Sequence, residues 1–398
     1  MSKHKIAIIG GGASGLLCAI ECAKNPTCQV DLYEQNSKLG RKILVSGNGK
    51  CNITNISVSQ NDYISQHQDF VDFALKNFPF SEFEKFASSI GLILDTKDDG
   101  KVYPLSYEAK TVVSLLQSKA LSLGVKIKTD TKIKEVKPLF ETYDSVVVAC
   151  GSEAAPHLGG SGDGYSFARE FGHNIIPTYP ALVGLELTHS PHAKMSGVKI
   201  DAEVTLFLNN TKTSTCQGDI LFTPYGVSGL AVLDISSEIS EALLNYQMVD
   251  ISINFMPKYT PQKLFTILEK ISKNTTTLLN TLHAILPLKM AKTILNELNI
   301  DHALQPNKLN TKEIKKIVNK IQNFRFEVKE THGFRHAEVS GGGVDTSEID
   351  PKTLKSKKQK NLYFCGEVLD VVGRRGGFNF AWAWASGHLV AKNINIVI

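Results

Sequence analysis

The chain opens on a short apolar run, Lys5–Ile9, that stops at Gly10-Gly11-Gly12. Apolar residues then recur at helical spacing from Ala13 to about Lys24, where Asn25-Pro26 breaks the pattern. Gln29–Glu34 (QVDLYE) reads as a second strand, so the first 34 residues predict a β-α-β unit. Ser37–Asn55 is polar, contains glycine and has little periodicity, and a loop of that length does more than connect. Helical patterns follow at Asp69–Asn77, Ser81–Gly91 and Lys110–Leu123, the last closed by Gly124. Val125–Thr129 and Ile133–Lys137 read as strands. Ser145–Ala149 (SVVVA) is almost wholly apolar and runs into Cys150-Gly151, the pattern of a strand covered on both faces of a parallel sheet.

The pattern changes after about Leu187. Val198–Phe207 and Ile220–Phe222 suggest antiparallel strands with a turn at Asn209-Asn210, and Val249–Asn254 a further strand. Thr260–Ile321 is mostly helical, rich in Lys and Asn, and broken at Pro287 and Pro306. Asn361–Cys365 returns to a strand, followed by a glycine-rich turn and a helix from about Phe378 to Asn393. The middle therefore reads as an insertion into a domain begun at one end and completed at the other. Residues 1–187 and 326–398 would form that domain, 188–256 a β-rich insert and 257–325 a helical one, with 326–340 free to pair with the β-rich insert. There is no internal repeat and no low-complexity tract.

Composition narrows the class. With 398 residues, 42% hydrophobic and 21% charged, the chain can bury a large core without disulfides or metal. A net charge of +5 is mild; it suits anionic small molecules such as nucleotides, and no nucleic-acid partner is expected from it. The basic stretch Lys312–Lys320 has an apolar stripe at Ile314, Ile317 and Val318, and reads as a solvated amphipathic helix. The seven cysteines are scattered without CxxC spacing, which leaves out a zinc ribbon or thioredoxin-type pair and suggests reduced thiols. No apolar run approaches the roughly 20 residues of a membrane span, and Met1-Ser-Lys-His leads into the first strand without a signal-peptide pattern. The expectation is a soluble, cytoplasmic protein with no membrane partner. His332 and His336 are four apart, but Gly333 and Gly341–Gly343 argue against a helix there, so no metal site is expected.

The chemistry sits in the first turn. Gly10-Gly11-Gly12-Ala13-Ser14-Gly15 fits GxGxxG directly after a strand and at the mouth of a helix. Gly10 permits the tight turn, Gly12 lets a pyrophosphate approach the backbone, and Gly15 lets the helix pack close to the sheet. The helix N-terminus offers N–H groups and partial positive charge to the phosphates. Glu34, with Gln35 beside it, stands at the end of the second strand, where an acid accepts hydrogen bonds from ribose hydroxyls and disfavours a 2′-phosphate. There is no second GxGxxG opening a helix after a strand. Ala149-Cys150-Gly151 follows an apolar strand as a small-residue turn, and Gly366-Glu367 places an acid just beyond another. These features favour FAD over NAD.

Three stretches carry a family resemblance: Gly40-Arg-Lys-Ile-Leu-Val-Ser-Gly-Asn-Gly-Lys-Cys-Asn-Ile-Thr-Asn55, Gly366-Glu-Val-Leu-Asp370 and Gly376-Gly-Phe-Asn379. With Gly162-Asp-Gly-Tyr165 and Tyr179-Pro-Ala-Leu-Val183, they resemble the YhiN-like, aminoacetone-oxidase-like family of bacterial FAD-binding flavoproteins, which also includes a bile-acid-reducing enzyme. The resemblance implies an α/β protein: a two-part, GR2-type Rossmann-like FAD-binding domain with a parallel sheet, an inserted β-barrel-like domain and a small helical domain. It implies that Gly10, Gly12, Ser14, Gly15 and Glu34 hold the ADP half. Arg41 and Lys42 would lie along the pyrophosphate and ribityl chain. The loop Ser46, Gly47, Asn48, Cys51, Asn52 would wrap the isoalloxazine, and Ile133 would touch adenine through its backbone. Gly366, Glu367 and Asp370 would bind the ribityl and phosphate region, and Gly376, Gly377, Phe378 and Asn379 would set helix N–H groups at the flavin N1/O2 edge.

Two departures stand out. Arg374-Arg375 precede the Gly-Gly turn where the family has small residues, and Pro224 stands where it has His. Tyr103-Pro104 and Tyr107 resemble a segment near the family's substrate cavity. The expected activity is an FAD-dependent oxidoreductase moving a hydride between a small organic substrate and flavin N5, with oxygen or transiently bound NAD(P)H as electron partner. The alternatives are an FAD-binding redox sensor or structural flavoprotein without turnover, and flavin-dependent RNA modification. No side chain stands out as the acid or base, and the oligomeric state is not readable.

Overall fold

Buried Ile6–Ile9 make β1 (His4–Ile9) a strand covered on both faces, and α1 (Ala13–Ala23) starts one turn later. β2 (Cys28–Tyr33) lies parallel to β1. In this computed structural model, residues 3–188, 191–273 and 276–396 are described, and Met1-Ser2 of the leading segment lies outside them. The long link after β2 holds α2 (Arg41–Val45), β3 (Thr54–Asn55), β4 (Tyr63–Ile64), α3 (Asp72–Asn77), α4 (Phe80–Ser89), β5 (Leu94–Thr96) and β6 (Lys101–Pro104). α5 (Ala109–Ser122) then delivers β7 (Lys126–Lys128) to the far side of β2. β8 (Ser145–Val148) takes the other side of β1, and α6 (Asp163–Glu170) and β9 (Ile175–Ala181) end the segment.

The chain between Pro180 and Ala337 forms its own unit. It contains β10 (Leu185–Leu187), α7 (Pro191–Lys194), β11 (Lys199–Leu208), β12 (Thr211–Phe222), β13 (Gly226–Ser228), α8 (Leu230–Leu244) and β14 (Val249–Asn254). Four helices follow: α9 (Pro261–Ser272), α10 (Leu278–His283), α11 (Leu288–Glu297) and α12 (Thr311–Gln322). β15 (Phe324–Thr331) closes a six-stranded antiparallel barrel in the order β10-β13-β12-β11-β14-β15. Asn209 and Asn210 both take positive φ, 49° and 65°, as a two-residue hairpin between β11 and β12 requires. The strand pattern hides α8, a 15-residue helix whose Ala231, Ile235, Ile239 and Ala242 face the barrel core. Its β-branched, Ser-rich sequence sits among strands and carries no strong helix formers in its first turns beyond Leu and Ala.

The other unit is Met1–Tyr179 with Glu338–Ile398. β16 (Val339–Val344) pairs with β9, β17 (Leu362–Phe364) lies parallel on β8, and β18 (Val372–Gly373) pairs with β4. The closing helix is α13 (Phe378–Ile396). The parallel sheet thus runs β7-β2-β1-β8-β17, the 3-2-1-4-5 order of a Rossmann fold, with ligands expected at the strand carboxyl ends near the reversal between β1 and β8. The two ends of the chain are tied by more than the sheet. α13 crosses α1 so closely that a Cβ on Gly387 would sit 2.5 Å from the Ser14 carbonyl. Buried His173 hydrogen-bonds Ser356 at 2.7 Å and Glu348 at 3.1 Å.

One expectation needs correcting. Ile133–Lys137 is not a strand: the chain leaves the sheet after β7 through Asp130 at φ 51°, and a 3-10 turn starts at Lys137. Trp382 and Trp384, two apart on α13, are both buried, at 2% and 1% exposure, because this helix is covered nearly all round.

Candidate active site

Three parallel strands end beside one another, and each hands over to a loop containing glycine. After β1, Gly10 has φ 114°, and a Cβ there would lie 2.2 Å from the Ala149 carbonyl beyond β8. Gly15 is equally constrained, since its Cβ would strike the Gly10 carbonyl at 1.9 Å. Gly12, in contrast, opens onto free space, as a phosphate-facing position should. No acid occupies the first turn of α1. Ala13 is half-buried and Ser14 buried beneath this turn, and a Cβ on Gly366 would approach the Ser14 hydroxyl at 2.5 Å.

Past β2, the Glu34 carboxylate accepts from the Gly11 N–H at 2.9 Å and from the Asn36 backbone N–H at 2.8 Å. Gln35 donates to the Gly159 carbonyl, and Arg41 to Asn36 Oδ1 and the His157 carbonyl. Thr131 N–H donates to the Glu34 carbonyl, which lays the segment holding Ile133 alongside. Ile133 is half-buried, and its backbone makes no hydrogen bond among the described residues. Beyond β8, Cys150 Sγ lies 3.5 Å from the Ile9 carbonyl and Gly151 turns at φ 73°.

Glu367 caps the strand end of β17 and is fully engaged. Lys42 Nζ donates to it at 2.9 Å, Ser152 Oγ at 2.7 Å and the Ser340 N–H at 3.0 Å. This charge-assisted cluster fixes α2, the β8 loop and the β17 loop to one another. Asp370 is buried and accepts from the Gln66 N–H at 2.8 Å; burial pushes its carboxyl above the ordinary aspartate range.

The Ser46–Asn52 loop turns through left-handed Gly47, Asn48 and Cys51. Ser46 Oγ donates to the Ile43 carbonyl. Cys51 is fully buried, and burial pushes its thiol up to about 11, so it is a packed thiol rather than a ready thiolate. Asn52 Oδ1 is buried with no donor among the described residues. Beside it, Gly376 and Gly377 run at φ 123° and 98°, and a Cβ on Gly377 would lie 2.3 Å from the Thr54 carbonyl and 3.0 Å from Asn52 Oδ1. The N–H groups of Phe378, Asn379 and Phe380, the first of α13, have no acceptor among the described residues. The Asn379 side chain instead clamps Gly373, donating to its carbonyl at 2.7 Å and accepting from its N–H at 2.8 Å. Tyr103 and Tyr107 stack at 5.5 Å, half-buried, and Tyr103 borders Gly47.

Sequence reasoning missed the residues that brace this turn. Trp384 Nε1 donates to the Ile53 carbonyl at 2.8 Å and Trp382 Nε1 to the Gly366 carbonyl at 3.1 Å. Tyr63 Oη donates to the Phe378 carbonyl at 2.9 Å, and Asn55 Nδ2 to the Gly376 carbonyl. The Trp-x-Trp pair inside an Ala-containing helix marks the two rings, but not the carbonyls they bind. Arg374 is exposed, paired with Asp62 at 2.6 Å and lying over the Phe378 ring at 4.2 Å. In the other unit, Pro224 is an exposed residue of the β12–β13 turn, and its neighbour Tyr225 stacks on His332, which stacks on His336 at 3.9 Å. Among the described residues no group of His, Cys, Asp and Glu is arranged to hold a metal ion, and no helix is long and apolar enough to cross a membrane.

The unpartnered buried acceptor at Asn52 lies beside the Gly376-Gly377 turn that leads into α13, and a Cβ on Gly12 would meet nothing within 4 Å; these residues fit a flavin dinucleotide. The fold and site together define a Rossmann-type FAD-binding protein. The chain matches the family described as HI0933-like protein, Rossmann domain, over residues 4–393, and it belongs to that family. It is 34% identical to the 3-dehydro-bile acid delta(4,6)-reductase of Clostridium scindens, over 98% of each chain. It is 32% identical to the ribosomal RNA dihydrouridine synthase of Haemophilus influenzae, again over 98% of each. Its fold is similar to that of the 3-ketosteroid delta1-dehydrogenase of Sterolibacterium denitrificans, with a TM-score of 0.50 at 12% identity, covering 100% of both chains. The chain is an FAD-dependent oxidoreductase.

Proposed function

We propose that this enzyme reduces a carbon–carbon double bond conjugated to a carbonyl, drawing its electrons from a nicotinamide donor. The reading joins the two kinds of relative. A delta(4,6)-reductase of a 3-dehydro bile acid and a dihydrouridine synthase both, by name, saturate a ring double bond in conjugation with a carbonyl. FAD, when bound, supplies the store that takes two electrons from the donor and returns them to carbon as hydride.

The observation that carries the reading is the free N-terminus of α13. Three N–H groups without acceptors among the described residues, and no acid in the first turn, suit negative charge at the N1/O2 edge of a reduced flavin. Gly376, Gly377, Phe378 and Asn379 would supply that edge. Ser46, Gly47, Asn48, Cys51 and Asn52 would line the ring, with Asn52 Oδ1 accepting from a ring N–H. Gly10, Gly12, Ala13, Ser14 and Gly15 would receive the pyrophosphate, Glu34 and Gln35 the ribose, and the free backbone at Ile133 the adenine. Ala149, Cys150 and Gly151 would pass beneath the cofactor. Arg41, Lys42, Gly366, Glu367 and Asp370 would border the chain between ring and phosphates, the last two through the segments they anchor.

The test is anaerobic. The visible flavin band of the purified protein should bleach with NADPH or NADH and return on addition of a conjugated enone or of RNA containing uridine. A band that bleaches with amines or hydroxy acids, and that no conjugated acceptor restores, sinks the proposal in favour of an oxidase or dehydrogenase.

A further inference from the structure

Hydride delivery to a conjugated double bond leaves negative charge on the carbon beside the carbonyl, and that carbon then takes a proton. The donor must carry an exchangeable proton and stand at the loops that would line the flavin ring. It must also be neither sealed in the core nor already spent on another acceptor.

Most candidates fail one of these conditions. The Ser46 hydroxyl donates to the Ile43 carbonyl, the Tyr63 hydroxyl to the Phe378 carbonyl and the Tyr107 hydroxyl to Asp95. Lys101 Nζ is given to Asp99. The Cys51 thiol is fully buried, and burial pushes it up to about 11. The Tyr165 hydroxyl has no partner among the described residues, but burial and the Glu367 carboxylate push its titration upward, so it holds its proton.

Tyr103 meets every condition. It lies on β6, where the pairing with β5 sets it opposite Asp95 and the pairing with β3 sets Lys101 opposite Asn55. Residues two apart on a strand share a face, so Lys101 and Tyr103 project together while Val102 between them is buried. That face reaches both glycine loops of the site. The Tyr103 ring edge lies 3.8 Å from where a Cβ on Gly47 would stand, and the Lys101 chain 4.0 Å from the same point on Gly376. Tyr103 is half-buried, and its hydroxyl makes no hydrogen bond among the described residues. Its ring is held by the stacked Tyr107 at 5.5 Å, and Tyr107 in turn by Asp95 and by Lys97 Nζ, 5.0 Å above its ring. A phenol clamped by its ring with its O–H unspent can donate to a bound substrate.

We propose that Tyr103 is the catalytic proton donor of this enzyme. Hydride from the reduced FAD, which the nicotinamide donor replenishes, forms the C–H bond at the carbon β to the carbonyl. The electron pair of the former double bond takes the Tyr103 proton to form the C–H bond at the α carbon. The phenolate left behind regains a proton from water, which its half-exposed ring admits. The assignment rests on the proposed reduction of a conjugated double bond.

The experiment separates hydride from proton. The full-length, FAD-loaded protein is reduced anaerobically and mixed with cyclohexenone or with nitrocyclohexene. A nitroalkene that accepts hydride becomes a stabilised nitronate anion and can leave unprotonated, whereas an enone needs the proton. The parent should be reoxidised by both and release the saturated nitroalkane. Tyr103→Phe should be reoxidised by the enone at least about 100-fold more slowly. With the nitroalkene it should react at nearly the parent rate and release the nitronate, read by its ultraviolet absorption. Tyr107→Phe, which keeps the stacked ring, should behave as the parent does with both. A second readout needs no turnover: nitration of the oxidised, FAD-loaded parent by tetranitromethane, located by peptide mass. Saturating cyclohexenone should protect Tyr103 and leave Tyr246, 97% exposed in the other unit, unchanged. Should Tyr103→Phe lose its flavin, this protection decides. Parent-like enone reduction by Tyr103→Phe, release of saturated nitroalkane by that variant, or nitration of Tyr103 indifferent to the enone would each overturn the assignment and leave the reaction standing. Hydride transfer by the parent to neither acceptor removes the reaction itself, and the assignment with it.

Discussion

The two units of this chain differ in where their distinctive features lie. In the unit made from the two chain ends, the site is mostly backbone: glycines where no Cβ fits, N–H groups at the starts of α1 and α13, and strand ends in a fixed order. In the inserted unit the distinctive feature is side-chain charge on helices whose backbone is unremarkable. Backbone sites are intolerant of single atoms. Charge surfaces are tolerant of single residues and respond to sums. The comparison therefore predicts how each unit breaks.

The largest effect should come from one methyl group. Gly377→Ala puts a Cβ 2.3 Å from the backbone carbonyl oxygen of Thr54 at φ 98°, and 3.0 Å from the Asn52 side-chain oxygen. Strain of this kind costs about 1–3 kcal/mol, and relief requires the start of α13 to move away from the Ser46–Asn52 loop. Flavin affinity should fall by at least about 100-fold, read by the flavin retained after gel filtration. A similarly strained glycine in the barrel, Gly229 at φ 105° with its Cβ 2.5 Å from the Asp219 carbonyl, gives the contrast. Gly229→Ala should lower the thermal midpoint by a similar free energy (again about 1–3 kcal/mol) and leave the flavin content of the folded protein unchanged. Flavin loss in both variants would erase the distinction between the units.

Next in size is Trp384→Phe. The ring volume is largely kept, but the Ile53 carbonyl loses its donor in a buried setting. A buried acceptor left unpaired costs about 1–3 kcal/mol. Because Ile53 adjoins Asn52, the expected signature is a lower thermal midpoint together with a shifted flavin absorption maximum. A midpoint change without any spectral shift would assign Trp384 to packing alone.

What could be read from the chain follows the same division. The GxGxxG turn, Glu34 and the apolar strand at Ser145–Val148 are local patterns, and each is where the sequence implies. The insertion of antiparallel strands and helices was also visible, because proline breaks and Asn-Asn turns are local. Three kinds of feature were not. α8 was hidden because β-branched residues in a strand-rich neighbourhood weaken the helical signal. Ile133–Lys137 has strand composition but finds no partner strand, and pairing is a property of the sheet, not of the segment. The tryptophans' roles depend on which loops pack on α13, which no spacing encodes.

The joint between the chain ends makes a pH-dependent prediction. His173 is buried, and burial holds its imidazole below the ordinary histidine value, with Glu348 only partly offsetting this. A depressed folded value means that the unfolded chain binds the proton more readily. The stability His173 contributes is therefore fully present above the ordinary histidine value, near 6.5, and is lost as the pH falls through the folded value. His173→Gln removes the titration. The parent's advantage in thermal midpoint over this variant should shrink between pH 8 and pH 5 (roughly the span in which histidine titrates). A constant or growing advantage on acidification would mean that His173 stays uncharged in both states or is protonated in the fold.

The smallest effect tests one of the two departures from the family pattern, the arginines before the Gly-Gly turn. Arg374 precedes the Gly376-Gly377 turn, where a bare positive charge would favour an electron-rich flavin. In the fold its side chain is 61% exposed, with the guanidinium bound to Asp62 and laid over the Phe378 ring. The nearby carboxylate cancels most of its field, and an exposed pair of this kind is worth about 0–1 kcal/mol. Arg374→Ala should therefore shift the midpoint potential of the bound flavin by less than about 30 mV (roughly 1.4 kcal/mol for two electrons). Asp62→Asn, which leaves the arginine uncompensated, should raise that potential more than Arg374→Ala lowers it. If instead Arg374→Ala alone lowers the potential well beyond that limit, the arginine acts on the flavin directly, and the backbone-only account of this site fails at its edge.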